Sequence, residues 1–220
     1  MRLLLSELED ALEMVTPYKS YNFCGRIMEM QEPLKLEEHR LSAKASPGRH
    51  AEFVAGRNCL KETIKKISST EAIIGRTEHG RPVLPDGLIG SISHKYPYVV
   101  ALVGLKEDIL SLGIDIERID KWNKDTASVF SMSKDFSHFD NLNLPFHIYS
   151  SILFSIKESA FKALKAISES DDITLKGISP SITSVNDGIY QFTFSWAAYQ
   201  CTGRSMLVGK KWVVATAWVH

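Results

Sequence analysis

In the segment Gly113 to Glu117, GIDIE, apolar and acidic residues alternate, and a period of two imposes a strand with unlike faces. Ile114 and Ile116 can enter a core while Asp115 and Glu117 share the opposite face, roughly 6.5 to 7 Å apart along the strand. Two carboxylates at that spacing can flank one hard cation. A second segment, FSIKESAFK (Phe154 to Lys162), follows the helical period instead. Leu153, Ile156, Ala160, Leu164 and Ile167 form an apolar stripe, and Glu158, Lys162 and Lys165 run at i, i+4 and i+7 along one edge. The spacing predicts a helix over about residues 151 to 168. By itself a Glu to Lys i,i+4 pair is a solvated support pair, and an acidic strand face is a wet side. Their weight comes from what accompanies them.

With 220 residues, 44% of them hydrophobic, the chain can bury one large core or two small ones. Lys plus Arg and Asp plus Glu balance at 26 each, so no global field draws it to nucleic acid or an anionic membrane, and any polyanion site must be local. Cys24, Cys59 and Cys201 form no CxxC or metal-ligand spacing, which argues against a disulfide framework and structural zinc. The opening MRLLLSELED is too short an apolar run for a secretory leader, and no stretch nears the roughly 20 apolar residues of a membrane span. A cytoplasmic protein without a membrane span is expected.

Residues 1 to 45 mix short apolar runs with acids, and within them the tract EPLKLEEHRLSAKA reads as polar helix or loop with no functional signal. Ser46 can cap a helix with Pro47 at its first position, and Phe53, Leu60, Ile64 and Ile67 continue it to about residue 67. On this helix Arg49 and Arg57 lie about 80° apart around the axis, close enough to line one edge with guanidinium groups suited to phosphate, or to sit in solvent. The turn-rich HGRPVLPDG precedes two strand-like runs, LIGSISH and YPYVVALVGL, and residues 118 to 150 read as loop with short helices. NDG (Asn186 to Gly188) marks a two-strand turn, and KKWVVATAWVH a last strand. Each half thus combines one main helix with several strands, which predicts an α+β fold.

In chain order stand RHAEFVAGR (Arg49 to Arg57), GRPVLP (Gly80 to Pro85), GSISH (Gly90 to His94), GIDIE and FSIKESAFK. This order resembles the 4'-phosphopantetheinyl transferase superfamily, and more narrowly its enterobactin-synthase-component and surfactin-type branch. Leu84 departs from it, where many relatives carry an aromatic residue. The resemblance implies two pseudo-symmetric halves, each a small, mainly antiparallel sheet on a main helix, with the ligand cleft between them. The halves would divide as 1–107, on the 3'-phosphate and adenine side, and 108–220, with the metal and catalytic residues.

The implied activity is transfer of the phosphopantetheine arm of coenzyme A to a serine of an apo carrier protein of peptidyl, aryl or acyl type, with release of adenosine 3',5'-bisphosphate. The resemblance implies that Asp115, Glu117 and Glu158 hold magnesium, or manganese, that Glu158 is the base, and that Lys162 and Lys157 lie beside the pyrophosphate. It places Ser93 and His94 at a coenzyme phosphate, Arg49 and Arg57 near the 3'-phosphate, and Arg81 and Pro82 near adenine. A monomer is implied, serving siderophore or other nonribosomal peptide or polyketide synthesis. The irregular segment from Arg118 to Leu144, with Lys121, Trp122, Lys124, Met132, Phe136 and Phe139, offers groups that could meet a carrier or fill the local core. Two alternatives share these residues: a coenzyme A-binding regulatory protein without transfer, and a general holo-acyl-carrier-protein synthase of fatty acid synthesis. The absence of a GxxxxGK[ST] loop disfavours ordinary nucleoside triphosphate chemistry.

Overall fold

Strand pairing is antiparallel throughout, and two long helices cover the outer faces of the two larger sheets. The structure, a computed structural model, describes residues 4–69, 71–120, 122–137, 144–168, 170 and 172–220. In chain order the elements are α1 (Leu5–Val15), β1 (Ser20–Arg26), α2 (Leu36–Arg40), α3 (Pro47–Lys65), β2 (Gly75–Arg76), β3 (Pro82–Val83), β4 (Leu88–Lys95), β5 (Tyr98–Leu105) and β6 (Ser111–Arg118). There follow α4 (Lys124–Ala127), α5 (Ser133–Phe136), α6 (Phe146–Ile167), β7 (Ser181–Asn186), β8 (Ile189–Trp196), β9 (Tyr199–Val208) and β10 (Trp212–Val219). One sheet has the order β1-β5-β4, a second β6-β10-β9-β8-β7, and β2 pairs β3 alone. The fold is α+β.

The apolar runs of β5 and β10 are continuous because both faces are covered. Val99, Ala101 and Val103 of β5 pack with Leu60 and Ile64 of α3, while Tyr98, Val100 and Leu102 face a central core. That core also takes Ile114 and Ile116 of β6, Val214 and Trp218 of β10, and Leu8, Leu12 and Val15 of α1. On the far side, Val213, Ala215 and Ala217 of β10 meet Ile156, Ala160 and Leu164 of α6. The layers therefore run helix, sheet, shared core, sheet, helix, and burial of these apolar faces supplies the main drive to fold.

The short apolar runs at the chain's start form a structural helix. Leu8, Ala11, Leu12 and Val15 are buried at helical spacing, and α1 packs into the core shared by both sheets. Helix α6 starts at Phe146, about five residues earlier than expected, because Phe146 and Tyr149 join Phe136 of α5 in an aromatic cluster with centroids 4.9 to 5.6 Å apart. Ser46 stands at the N-cap of α3 but makes no side-chain cap bond. The NDG turn forms as read: Asp187 and Gly188 both have positive φ, 51° and 77°, between paired Asn186 and Ile189. Among the described residues no helix is long and apolar enough to cross a membrane, and all three cysteines are buried and free.

Gly113 sets the distance between β6 and α6. A Cβ there would lie 1.9 Å from the Ser159 carbonyl oxygen and 2.8 Å from the Ala163 nitrogen, both helix backbone. Gly113→Ala should therefore push α6 away from β6, costing roughly 1–3 kcal/mol by overpacking. Comparison of denaturant midpoints for the two proteins checks this, and equal stability would mean that α6 has room to move.

Candidate functional site

The edges of the two larger sheets meet where β4 runs beside β6, and side chains rather than a ladder satisfy the backbone at this seam. The Ile114 amide donates to Ser91 Oγ at 3.2 Å, and Lys162 Nζ donates to the Ile114 carbonyl at 3.0 Å. An edge left unpaired would strand these groups in a buried setting. Period-two alternation carries Asp115 and Glu117 to the face of β6 under α6, opposite Ile114 and Ile116.

Asp115 is 3% exposed and its carboxylate is held from both sides. Oδ1 accepts from Ser93 Oγ at 2.9 Å and from Lys162 Nζ at 2.8 Å, and Oδ2 accepts from Ser155 Oγ at 2.8 Å. Lys162 Nζ also donates to Ser93 Oγ at 3.0 Å. Glu117 lies beside Lys95, whose Nζ is 2.8 Å from Oε2. Burial pushes the Glu117 carboxyl above its ordinary range, Lys95 pulls it down, and Asp115 pushes it up. Glu158 is likewise raised, first by burial, with Lys162 opposing and with Asp115 and Glu117 adding repulsion.

These three carboxylates thus share one electrostatic neighbourhood, although among the described residues no three acidic, His or Cys side chains stand as a ready metal cluster. Hard oxygen donors, two of them raised above their ordinary range by burial, fit an oxygen-seeking divalent cation. Ser155 was not anticipated. It lies on α6 seven residues before Lys162, on the same edge, and that spacing is the signal that could have marked it.

On the other side of Lys162 opens a cavity of about 920 Å³. Its walls include Arg49, Arg57, Arg81, Pro82, His94, Lys162 and Lys165. Among the described residues, eight Lys and Arg side chains line it against one carboxylate, Glu52, so the neutral chain gathers a local cationic surface. Arg57 is 2% exposed. Its guanidinium donates to the Gly75 carbonyl at 2.9 Å and stacks 4.2 Å over the Phe53 ring, while its Nε has no hydrogen-bond partner among the described residues. Burial and the charge of Arg76 lower its pKa to about 10. A buried cation that forms no ion pair with a carboxylate among the described residues, on a cavity wall, suits an anionic guest.

Arg49, by contrast, is largely solvated and pairs with Glu52 at 2.7 Å. Glu52 also approaches His94 Nδ1 at 3.7 Å, and burial holds the His94 imidazole below its ordinary range against that carboxylate. Arg81 donates to the Lys165 carbonyl at the end of α6, and Pro82 belongs to β3 on the cavity wall. Arg76, on the wall beside Arg57, was missed because nothing in its local sequence gives it a period.

Lys157, which the resemblance places with Lys162 beside the pyrophosphate, sits in an ion pair of its own. It is 0% exposed and donates to Asp135 Oδ2 at 2.7 Å and to the Leu175 carbonyl at 3.2 Å. Five residues turn the helix by about 140°, so Lys157 and Lys162 leave α6 on different faces. Trp122 and Phe136 also turn inward, packing against Phe130 and Phe154 at 5.1 and 5.4 Å and against Phe146 at 5.4 Å respectively. Met132 and Lys124 remain exposed; Lys121 and Phe139 lie outside the described residues.

Residues 37–104 match a family model described as the 4'-phosphopantetheinyl transferase N-terminal domain. The chain is 33% identical over 156 residues to "Enterobactin synthase component D" of Salmonella typhi, covering 70% of this chain and 62% of that protein. It is 29% identical over 142 residues to "4'-phosphopantetheinyl transferase Npt" of Nocardia iowensis, 63% of each chain, and 29% over 127 residues to "4'-phosphopantetheinyl transferase PptT" of Mycobacterium tuberculosis, 58% of this chain and 56% of that one. The match spans less than two thirds of each of these relatives.

Proposed function

Because the chain belongs to the 4'-phosphopantetheinyl transferase superfamily, with relatives in its enterobactin-synthase branch, we propose that it moves the phosphopantetheine arm of coenzyme A to a serine of an apo carrier protein. The observation that carries this reading is the position of Lys162: its side chain lines the cationic cavity, and its ammonium contacts Asp115 of the carboxylate group. An anion-binding cavity and an acidic cluster joined at one side chain suit displacement at a pyrophosphate.

In this reading Arg49, Arg57 and His94 bind coenzyme A phosphates, Arg81 and Pro82 flank the adenine, and Ser93 steadies Lys162 and Asp115. Asp115, Glu117 and Glu158 would hold a magnesium ion, which supplies charge neutralisation at the pyrophosphate. Glu158 takes the proton of the carrier serine as its oxygen attacks the phosphorus of the phosphopantetheine arm. The bond from that phosphorus to the bridging oxygen breaks, and adenosine 3',5'-bisphosphate leaves with the electron pair. Lys162 stabilises the charge that develops on the leaving phosphate. We assign residues 1–107 to the 3'-phosphate and adenine side and 108–220 to the catalytic side, in a cytoplasmic monomer serving siderophore or related nonribosomal synthesis.

Intact-mass spectrometry of apo peptidyl, aryl and acyl carrier proteins, incubated with the protein, coenzyme A and magnesium, tests this. The expected result is a mass gain of one phosphopantetheine arm on at least one carrier, with the ranking of carriers pointing to the pathway. Coenzyme A binding with no gain on any carrier would replace the transferase by a coenzyme-binding regulatory protein.

A further inference from the structure

The three carboxylates differ in how they are neutralised. Asp115 is fixed by two hydroxyls and by Lys162, and Lys162 is itself held by three protein oxygens. Glu117 instead meets the ammonium of Lys95, at the last position of β4, whose side chain is 47% exposed. Burial leaves the Glu117 side chain only 18% exposed, so Lys95 is the cation at hand that offsets its charge.

We propose that Lys95 is a displaceable internal counterion of Glu117, one that a divalent cation must dislodge, and that it thereby sets the cation affinity of this site. The inference rests on the proposed cation-holding role of Asp115, Glu117 and Glu158. Glu117 Oε2 has a limited set of lone pairs and already meets the Lys95 ammonium at 2.8 Å and accepts from the Arg118 amide at 3.3 Å, so a metal held there would compete with the ammonium. Lys95 yields more readily than Lys162. Its side chain is half-exposed, so departure exchanges one ion pair for hydration, whereas Lys162 would abandon the Ile114 carbonyl and the Ser93 hydroxyl as well. The ion pair therefore protects a half-buried carboxylate before the cation arrives, and competes with the cation when it does.

The test is titration with manganese(II) alone, read from the electron paramagnetic resonance signal of the free ion, so no transfer activity enters. Lys95→Met keeps the apolar stem and removes the charge. It should tighten manganese binding by about two- to fivefold, the strength of a partly exposed ion pair. In a Glu117→Gln background the same substitution should change affinity much less, because an amide holds no counterion. Unchanged or weaker binding in Lys95→Met overturns the proposal while leaving the metal role intact. Equal tightening in both backgrounds also overturns it, since a general field rather than the pair would be responsible. No manganese binding by the unmodified protein overturns both this inference and the cation-holding role itself.

Discussion

Replacement of Glu158 by glutamine is expected, on the proposed transferase reading, to lower carrier modification by roughly 10²- to 10⁴-fold, the usual contribution of a positioned general base. The substitution keeps size and hydrogen-bonding shape but removes proton affinity and negative charge. Its effect on folding runs the other way. Burial raises the carboxyl of Glu158 in the folded state above its unfolded value. Below the unfolded pKa the group is protonated in both states and contributes nothing. As pH rises from the unfolded pKa through the raised folded pKa, ionisation costs the folded state more, and that cost is fully present above the folded pKa. Glu158→Gln should therefore be at least as stable as the parent at pH 7, and the difference should vanish in acid. Denaturant midpoints at the two pH values, measured beside single-turnover rates, separate loss of the base from loss of the fold. Near-normal turnover by this variant would remove Glu158 from the catalytic role.

Lys157→Ala is expected to cost about 3–5 kcal/mol, because it leaves the carboxylate of Asp135 buried without its cation. Asp135 is 2% exposed; the Met132 amide donates to Oδ2 at 2.8 Å, and Oδ1 has no partner. Burial lowers the Lys157 ammonium below its ordinary range while Asp135 opposes this, so the pair persists only as a pair. Against a typical total of about 5–15 kcal/mol the single change is severe. The double variant Lys157→Met with Asp135→Leu should recover most of the loss, since an apolar pair of similar volume needs no compensation. Urea unfolding measures both. Coenzyme A affinity of the double variant gives a second readout: it should match the parent, whereas a drop at restored stability would return Lys157 to the phosphate-contacting role that the family resemblance implies.

These two neighbours on α6 illustrate how far local pattern reaches. Period-two alternation in GIDIE identified Asp115 and Glu117 as partners on one face, and the i, i+4 step identified Glu158 and Lys162 as one helical edge. The ordered motifs from Arg49 to Lys162 added the family. None of this separated Lys157 from Lys162, since both are lysines in the same short motif and only rotation about the helix axis distinguishes them. Nor did it find α1, whose buried face Leu8, Ala11, Leu12 and Val15 has helical spacing in a segment read as uninformative. The aromatic residues between Trp122 and Tyr149 were legible as a group, but their inward packing against α6 was not, because composition alone does not say which side of an aromatic ring finds a neighbour.

The sequence by itself determined which side chains share a face, because that follows from 3.6 residues per turn and two per pleat and needs only neighbours in the chain. Tertiary structure alone decided which cation meets which carboxylate: Lys162 on Asp115, Lys95 on Glu117, Lys157 on Asp135, and Arg57 buried without one among the described residues. Each of those three pairs joins residues more than twenty positions apart, brought together by the β4 and β6 seam and by the packing of α6. Their charges are set by burial and proximity, which arise only when the layers close.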